Sequence, residues 1–123
     1  MYRILVCDDE KDIVSALKIY LMADGYQVFE AYNGREALEI LKNEDIHLVL
    51  MDIMMPIING YEAAKRIRSL DREDAKKIPI IAMTANAGDE DRRQTKEAGM
   101  SEHLAKPIDP KLLYTTLQKF ILP

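Results

Sequence analysis

The 123-residue chain has no tryptophan and a single cysteine, Cys7. One thiol cannot close an internal disulfide or build a thiolate zinc site, so a reducing compartment, the cytoplasm, is the expectation. Basic residues are also in deficit, with 17 Lys and Arg against 21 Asp and Glu and a net charge of -4. That balance argues against direct nucleic-acid binding, which needs a basic face to displace counterions. No apolar run approaches membrane-spanning length, and Tyr2 to Val6 is too short for a signal peptide, so no membrane role is expected. No linker, repeat or low-complexity segment interrupts the chain, which contains only five glycines and five prolines. What is present is an ordinary globular composition, 48% hydrophobic and 31% charged, long enough for one domain over residues 1–123 with its own core.

Short apolar runs alternate with longer helical patterns. The runs are Ile4–Cys7, Val28–Ala31, Leu48–Met51, Ile80–Met83 and His103–Ala105. Near-continuous apolarity in runs of four or five, with β-branched residues, suits parallel strands covered on both faces. Between them, Val14, Leu17 and Leu21 recur at helical spacing within Lys11–Asp24, closed by Gly25. Asn33 reads as the N-cap of a helix over Arg35–Lys42 with Ala37, Leu38 and Leu41 inward. Tyr61, Ala64, Ile67 and Leu70 predict a third helix. Asp89–Ala98, opening with acids and closing on Gly99, predicts a fourth. Asp109 followed by Pro110 starts a fifth, with Leu112, Leu113, Leu117 and Phe120 behind it. The expectation is (βα)5, a doubly wound parallel five-stranded sheet of flavodoxin-like type, strand order 2-1-3-4-5.

The residues that follow the strands carry the chemistry. Asp8, Asp9 and Glu10 follow the first, Asp52 the third, Thr84 closes the fourth, and Lys106-Pro107 follows the fifth. In an open α/β sheet the ligand crevice lies outside the carboxyl ends of the strands. Clustered carboxylates there must either take up protons or hold a cation. Oxygen ligands without His or Cys favour a hard ion, and few ligands with open positions favour Mg2+ over Ca2+. A carboxylate beside such an ion can be a nucleophile toward phosphorus, with a lysine and a hydroxyl to bind the phosphoryl oxygens.

Val6-Cys7-Asp8-Asp9-Glu10, Met51-Asp52-Ile53-Met54-Met55-Pro56 through Gly60, Ala82-Met83-Thr84-Ala85 and Lys106-Pro107 together resemble a response-regulator receiver domain over essentially the whole chain. The resemblance implies that Asp52 accepts a phosphoryl group. It implies Mg2+ held by Asp9, Asp52 and the Met54 backbone carbonyl, with Asp8 acting through water. Thr84 and Lys106 resemble the pair that senses the phosphoryl group, and the family's Lys-Pro bond is typically cis. The implied donor is a sensor histidine kinase or histidine phosphotransfer protein. The implied response reshapes the surface of the fourth helix, fifth strand and fifth helix, read by an output domain or downstream partner. A monomer or a phosphorylation-dependent dimer, with slow return of the phosphoryl group to water and no turnover of a substrate, completes the picture.

Several residues depart from the pattern or add to it. His103 stands where the family often has Tyr or Phe, and reads either as a half-exposed strand residue or as the switch residue made pH-sensitive by imidazole. The resemblance implies that the side chain two residues past Asp52 lies beside the path of attacking water; here it is the apolar Met54, and slow dephosphorylation is the expectation. Ile13, Ala16 and Tyr20 flank the core stripe of the first helix and read either as ordinary scattered exposed apolar residues or, by the resemblance and with Pro107, as a docking face for the donor. His47 has no candidate partner. The opening resembles receivers of transcription regulators, whereas Ala82 to Asp109 is more similar to receivers of hybrid kinases. An aspartate-nucleophile phosphohydrolase lacks its second acid, because Met54 stands there. A flavin carrier is disfavoured because Asp8-Asp9-Glu10 repels phosphate. A receiver that is never phosphorylated is disfavoured by the intact set of acids, Thr84 and Lys106.

Overall fold

A computed structural model describes residues 1–85 and 88–121, apart from the side chains of Asp89 and Glu90. Its elements are β1 (Arg3–Cys7), α1 (Lys11–Ala23), β2 (Gln27–Ala31), α2 (Gly34–Asn43), β3 (Leu48–Asp52) and α3 (Gly60–Arg68). A short 3-10 turn (Asp74–Lys76) follows, then β4 (Ile80–Thr84), α4 (Asp89–Glu97), β5 (Glu102–Ala105) and α5 (Pro110–Ile121). All neighbouring strands pair in parallel, in the order β2-β1-β3-β4-β5. This is the expected doubly wound sheet.

The two faces of the sheet follow from the period-2 alternation of strand side chains. Leu5, Cys7, Val49, Met51, Ile80 and Ala82 pack with Ala37, Leu41, Ala63, Ala64 and Ile67 of α2 and α3. Ile4, Val6, Leu48, Leu50, Ile81 and Met83 pack with Val14, Leu17 and Leu21 of α1 and Leu113, Leu117 and Ile121 of α5. Every residue of β3 and β4 is buried, the apolar runs and also the polar residues Asp52 and Thr84 that end them.

Local signals place the helix ends. Asn33 Oδ1 accepts the Glu36 N–H while Glu36 Oε1 accepts the Tyr32 N–H, so each satisfies a donor left over at the start of α2. Asn59 Oδ1 does the same for the Glu62 N–H at the start of α3. α1 stops at Ala23 with Asp24 as its cap, and Gly25 takes the left-handed turn beyond it at φ 88°.

Three expectations need correcting. β2 lies at the edge of the sheet, paired on one side only, so Val28 and Phe29 are half-buried rather than covered on both faces. In α5 the inward stripe is Leu113, Thr116, Leu117 and Ile121, and Leu112 turns out to solvent at 50% exposure. The phase of α5 against the sheet centres the stripe on Leu113 and Leu117 and leaves Leu112 on its solvent side. His47 does have a partner: its Nδ1 accepts the Arg3 N–H at 2.9 Å, and its ring meets Tyr2 edge-on.

Candidate active site at the strand ends

The register Cys7↔Met51 makes Asp8 and Asp52 the next residues of two adjacent strands. Alternation sends both side chains to the face already occupied by Val6 and Leu50. Two carboxylates are thus delivered side by side at the end of the sheet, Asp8 wholly buried and Asp52 2% exposed. β5 brings the opposing charge. The Lys106 N–H donates to Thr84 O at 2.7 Å, the Lys106–Pro107 bond is cis, and the ammonium lies 2.9 Å from Asp8 Oδ2 and 3.1 Å from Asp52 Oδ1.

Backbone donors complete the arrangement. Asp8 Oδ1 accepts the Glu10 N–H at 2.9 Å, and Asp52 Oδ1 accepts the Met54 N–H at 3.1 Å. Burial pushes the Asp52 carboxyl above its ordinary range; the Met54 N–H pulls it down, the Asp8 charge pushes it up, and Lys106 pulls it down, with burial prevailing. Burial works against the charge of Lys106, yet its contacts with Asp8 and Asp52 outweigh that and raise it. The thiol of Cys7, on the opposite face, is driven up by burial and then by the neighbouring acids, so it is a packed, unreactive group.

Oxygens of Asp8, Asp9 and Asp52 all lie within 4.8 Å of one another. Although the Lys106 ammonium is close, Asp8 Oδ2 is buried without an aligned hydrogen bond. An all-oxygen donor set with an under-satisfied buried carboxylate and one exposed member, Asp9, fits a hard divalent cation that keeps solvent ligands. Among the described residues this is the one group of three or more metal-capable side chains.

The remaining predicted residues are placed as follows. Thr84 ends β4 and is buried. His103 is half-buried on β5, its Nδ1 3.7 Å from Glu102 Oε1, outside the acid cluster. The Met54 side chain is 74% exposed. Ile13, Ala16, Leu17, Tyr20, Pro107 and Ile108 line one groove of about 460 Å³ that runs from α1 to Lys106.

Three contributors escaped sequence reasoning. A Cβ on Gly60 would collide with the Asp52 carbonyl and lie 2.6 Å from Ile53 Cα, so only glycine lets α3 begin against the strand that carries Asp52. Arg68 donates to the carbonyls of Gly99, Ala75 and Ile78, tying α3 to the approaches of β4 and β5. Ile57 adopts a φ of 69°. Of these, only the position of Gly60 after an Asp-to-Pro segment carried any local signal.

An acidic crevice bridged by one lysine, on a sheet of order 2-1-3-4-5, defines a receiver-type signalling domain. The family model for the response regulator receiver domain matches residues 4–118, and the chain belongs to that family, whose members act in two-component systems. It is 37% identical over 119 residues to an uncharacterized 14.6 kDa protein of Leptolyngbya boryana, covering 97% of this chain and 89% of that one. It is 35% identical to the response regulator SaeR of Staphylococcus epidermidis and 37% identical to hybrid signal transduction histidine kinase I of Dictyostelium discoideum. Those matches cover 92% and 94% of this chain but only 47% and 7% of the two relatives. Among solved structures, chemotaxis protein CheY4 of Vibrio cholerae superposes with a TM-score of 0.93 at 30% identity, covering 98% of this chain and 99% of that one. The receiver domain of sensor histidine kinase PA1611 of Pseudomonas aeruginosa, solved with a magnesium ion in its active-site cleft, gives 0.88 at 33% identity, covering 98% and 97%. No helix among the described residues is long and apolar enough to cross a membrane.

Proposed function

We propose that this domain takes a phosphoryl group from a phosphohistidine onto Asp52 and uses the change to signal. The observation that carries the reading is the Lys106 ammonium held between two buried carboxylates beside a third. An Asp52 oxygen attacks phosphorus as the N–P bond to the donor histidine breaks and its electron pair stays on nitrogen; with the donor ring protonated on its other nitrogen it leaves as neutral imidazole, and an acyl phosphate remains on Asp52. Lys106 and Thr84 bind the phosphoryl oxygens, and the Met54 N–H holds Asp52 in place. Asp9, Asp52 and the Met54 carbonyl would hold Mg2+, with Asp8 reaching it through water. When bound, Mg2+ supplies positive charge against the phosphoryl oxygens.

The groove formed by Ile13, Ala16 and Pro107 fits a sensor histidine kinase or histidine phosphotransfer protein docking beside Lys106. Thr84 and Lys106 then report phosphorylation to the surface of α4, β5 and α5, with His103 as the switch residue on β5. An output domain or downstream protein in the cytoplasm reads that surface, on a monomer or a phosphorylation-dependent dimer. The domain catalyses only its own phosphorylation and slow dephosphorylation.

Incubation with acetyl phosphate, with and without Mg2+, tests this by intact mass. The expected result is a Mg2+-dependent gain of one phosphoryl group that Asp52→Asn abolishes. No gain in the parent chain, or an equal gain in Asp52→Asn, overturns it.

A further inference from the structure

The chain contains two Asn–Gly pairs, Asn33-Gly34 and Asn59-Gly60, and each starts a helix. In such a pair the backbone nitrogen of glycine can attack the side-chain amide before it, because no Cβ hinders that nitrogen. Locally the two pairs are matched. Each asparagine caps its helix in an extended conformation, with ψ of 170° and 172°. Each Oδ1 accepts the N–H three residues on, at 2.8 Å in one and 2.9 Å in the other. Both asparagines are exposed and both glycines are buried.

The surroundings of the glycines differ. The Gly60 N–H donates to Ile53 O at 3.2 Å, and backbone atoms of Asp52 and Ile53 fill the space beside its Cα. That nitrogen is occupied and has nowhere to move. The Gly34 N–H, one of the donors that a helix start leaves over, has no partner among the described residues. The neighbours of Gly34 are the side chains of Ile58 and Ala63 rather than backbone. Gly34 also borders an open hollow of about 370 Å³ between Tyr32–Arg35 and Pro56–Ile58. Attack on the amide requires the asparagine ψ to turn from its extended value, which swings the glycine nitrogen. The freedom of that glycine therefore sets the rate.

We infer that Asn33 is a site of spontaneous deamidation in the folded protein and that the fold protects Asn59. The Gly34 nitrogen bonds to Asn33 Cγ, the Cγ–Nδ2 bond breaks, and ammonia leaves with the proton that the Gly34 N–H gives up. Water then opens the five-membered imide. Breaking the new Cγ–N bond gives aspartate, and breaking the original backbone C–N bond gives isoaspartate. Either product adds a carboxylate at the sheet edge that holds Asp8, whose N–H donates to Ala31 O two residues before Asn33. Isoaspartate also lengthens the backbone by one carbon and displaces the oxygen that caps the Glu36 N–H.

The test ages the full chain at mildly alkaline pH and maps the products by mass. Trypsin releases the two pairs on separate peptides, Ile19–Arg35 and Asn43–Lys65. In the folded chain Asn33 is expected to convert about tenfold faster than Asn59, with isoaspartate among its products. In urea that unfolds the chain the two should convert at similar rates, since only the fold distinguishes them. Gly34→Ala, whose methyl crowds the attacking nitrogen and meets only side chains, should slow the conversion of Asn33 in the folded chain. Equal rates in the folded chain, a faster Asn59, or conversion of neither in the time both take in urea overturns the inference. So does the same preference for Asn33 in urea, a product of aspartate alone, or a Gly34→Ala chain that converts as fast as the parent.

Discussion

Lys106 stands 3.1 Å from Asp52 Oδ1 and, on its other side, 2.9 Å from Asp8 Oδ2, so one ammonium bridges two buried carboxylates. A divalent cation at the acid cluster competes with that ammonium for the same oxygens. Lys106→Met is therefore expected to lower the stability of the metal-free protein by about 3 kcal/mol, the cost of stranding buried charge. Added Mg2+ should raise the urea midpoint more in the variant than in the parent. A variant as stable as the parent in EDTA contradicts the bridging role.

Gly60 has no room for a side chain because the neighbours of its missing Cβ are backbone atoms of Asp52 and Ile53. Gly60→Ala should cost about 1–3 kcal/mol, read as a lower urea midpoint with unchanged slope. Gly34→Ala is the control. Its Cβ meets the Ile58 side chain at 3.1 Å, which can yield, so its cost should be clearly smaller.

Acid should expose the Glu102–Lys119 pair. Burial pushes Glu102 up, but the Lys119 ammonium at 3.1 Å and the His103 N–H pull it down further, leaving its carboxyl below the ordinary value. The unfolded chain then binds a proton at about pH 4.3, before the folded one does, so stability rises with pH across that interval. Glu102 contributes fully above that pH, and its contribution disappears as pH falls through the lowered folded value. The midpoint difference between the parent and Glu102→Gln should be largest near neutrality and vanish in strong acid. A difference independent of pH rejects the pairing.

Met54 offers water an apolar, exposed side chain on the residue whose N–H binds Asp52. Met54→Asn supplies a group that can hydrogen-bond an attacking water. Loss of the phosphoryl group should quicken by at most about tenfold, the ~1.4 kcal/mol that one hydrogen bond provides. Intact mass followed after removal of acetyl phosphate measures it, and an unchanged half-life counts against the idea.

Much of the architecture was legible in local pattern. The apolar runs locate all five strands to within one residue, most plainly β3 and β4, whose burial on both faces favours unbroken apolar runs. Asn33 and Asp109 mark helix starts through chemistry that needs only near neighbours: Asn33 accepts the Glu36 N–H and Asp109 the Lys111 N–H. Where local pattern failed, the deciding contact was distant in sequence. β2 looked doubly covered until its place at the edge was known, and Leu112 looked inward until the phase of α5 against the sheet was set.

The sequence by itself determined which reactive groups end which strands: Asp8 and Asp9 after β1, Asp52 on β3, Thr84 on β4 and Lys106 after β5. It determined their chemistry too, since residue type decides hardness, charge and hydrogen-bonding capacity. Only the tertiary structure decided that Asp8 and Asp52 share one face and one ammonium, that Gly60 must lack a Cβ, and that Ile57 is held outward. These depend on strand register and on the approach of backbones far apart in the chain, and such pairings leave no periodicity in the local sequence.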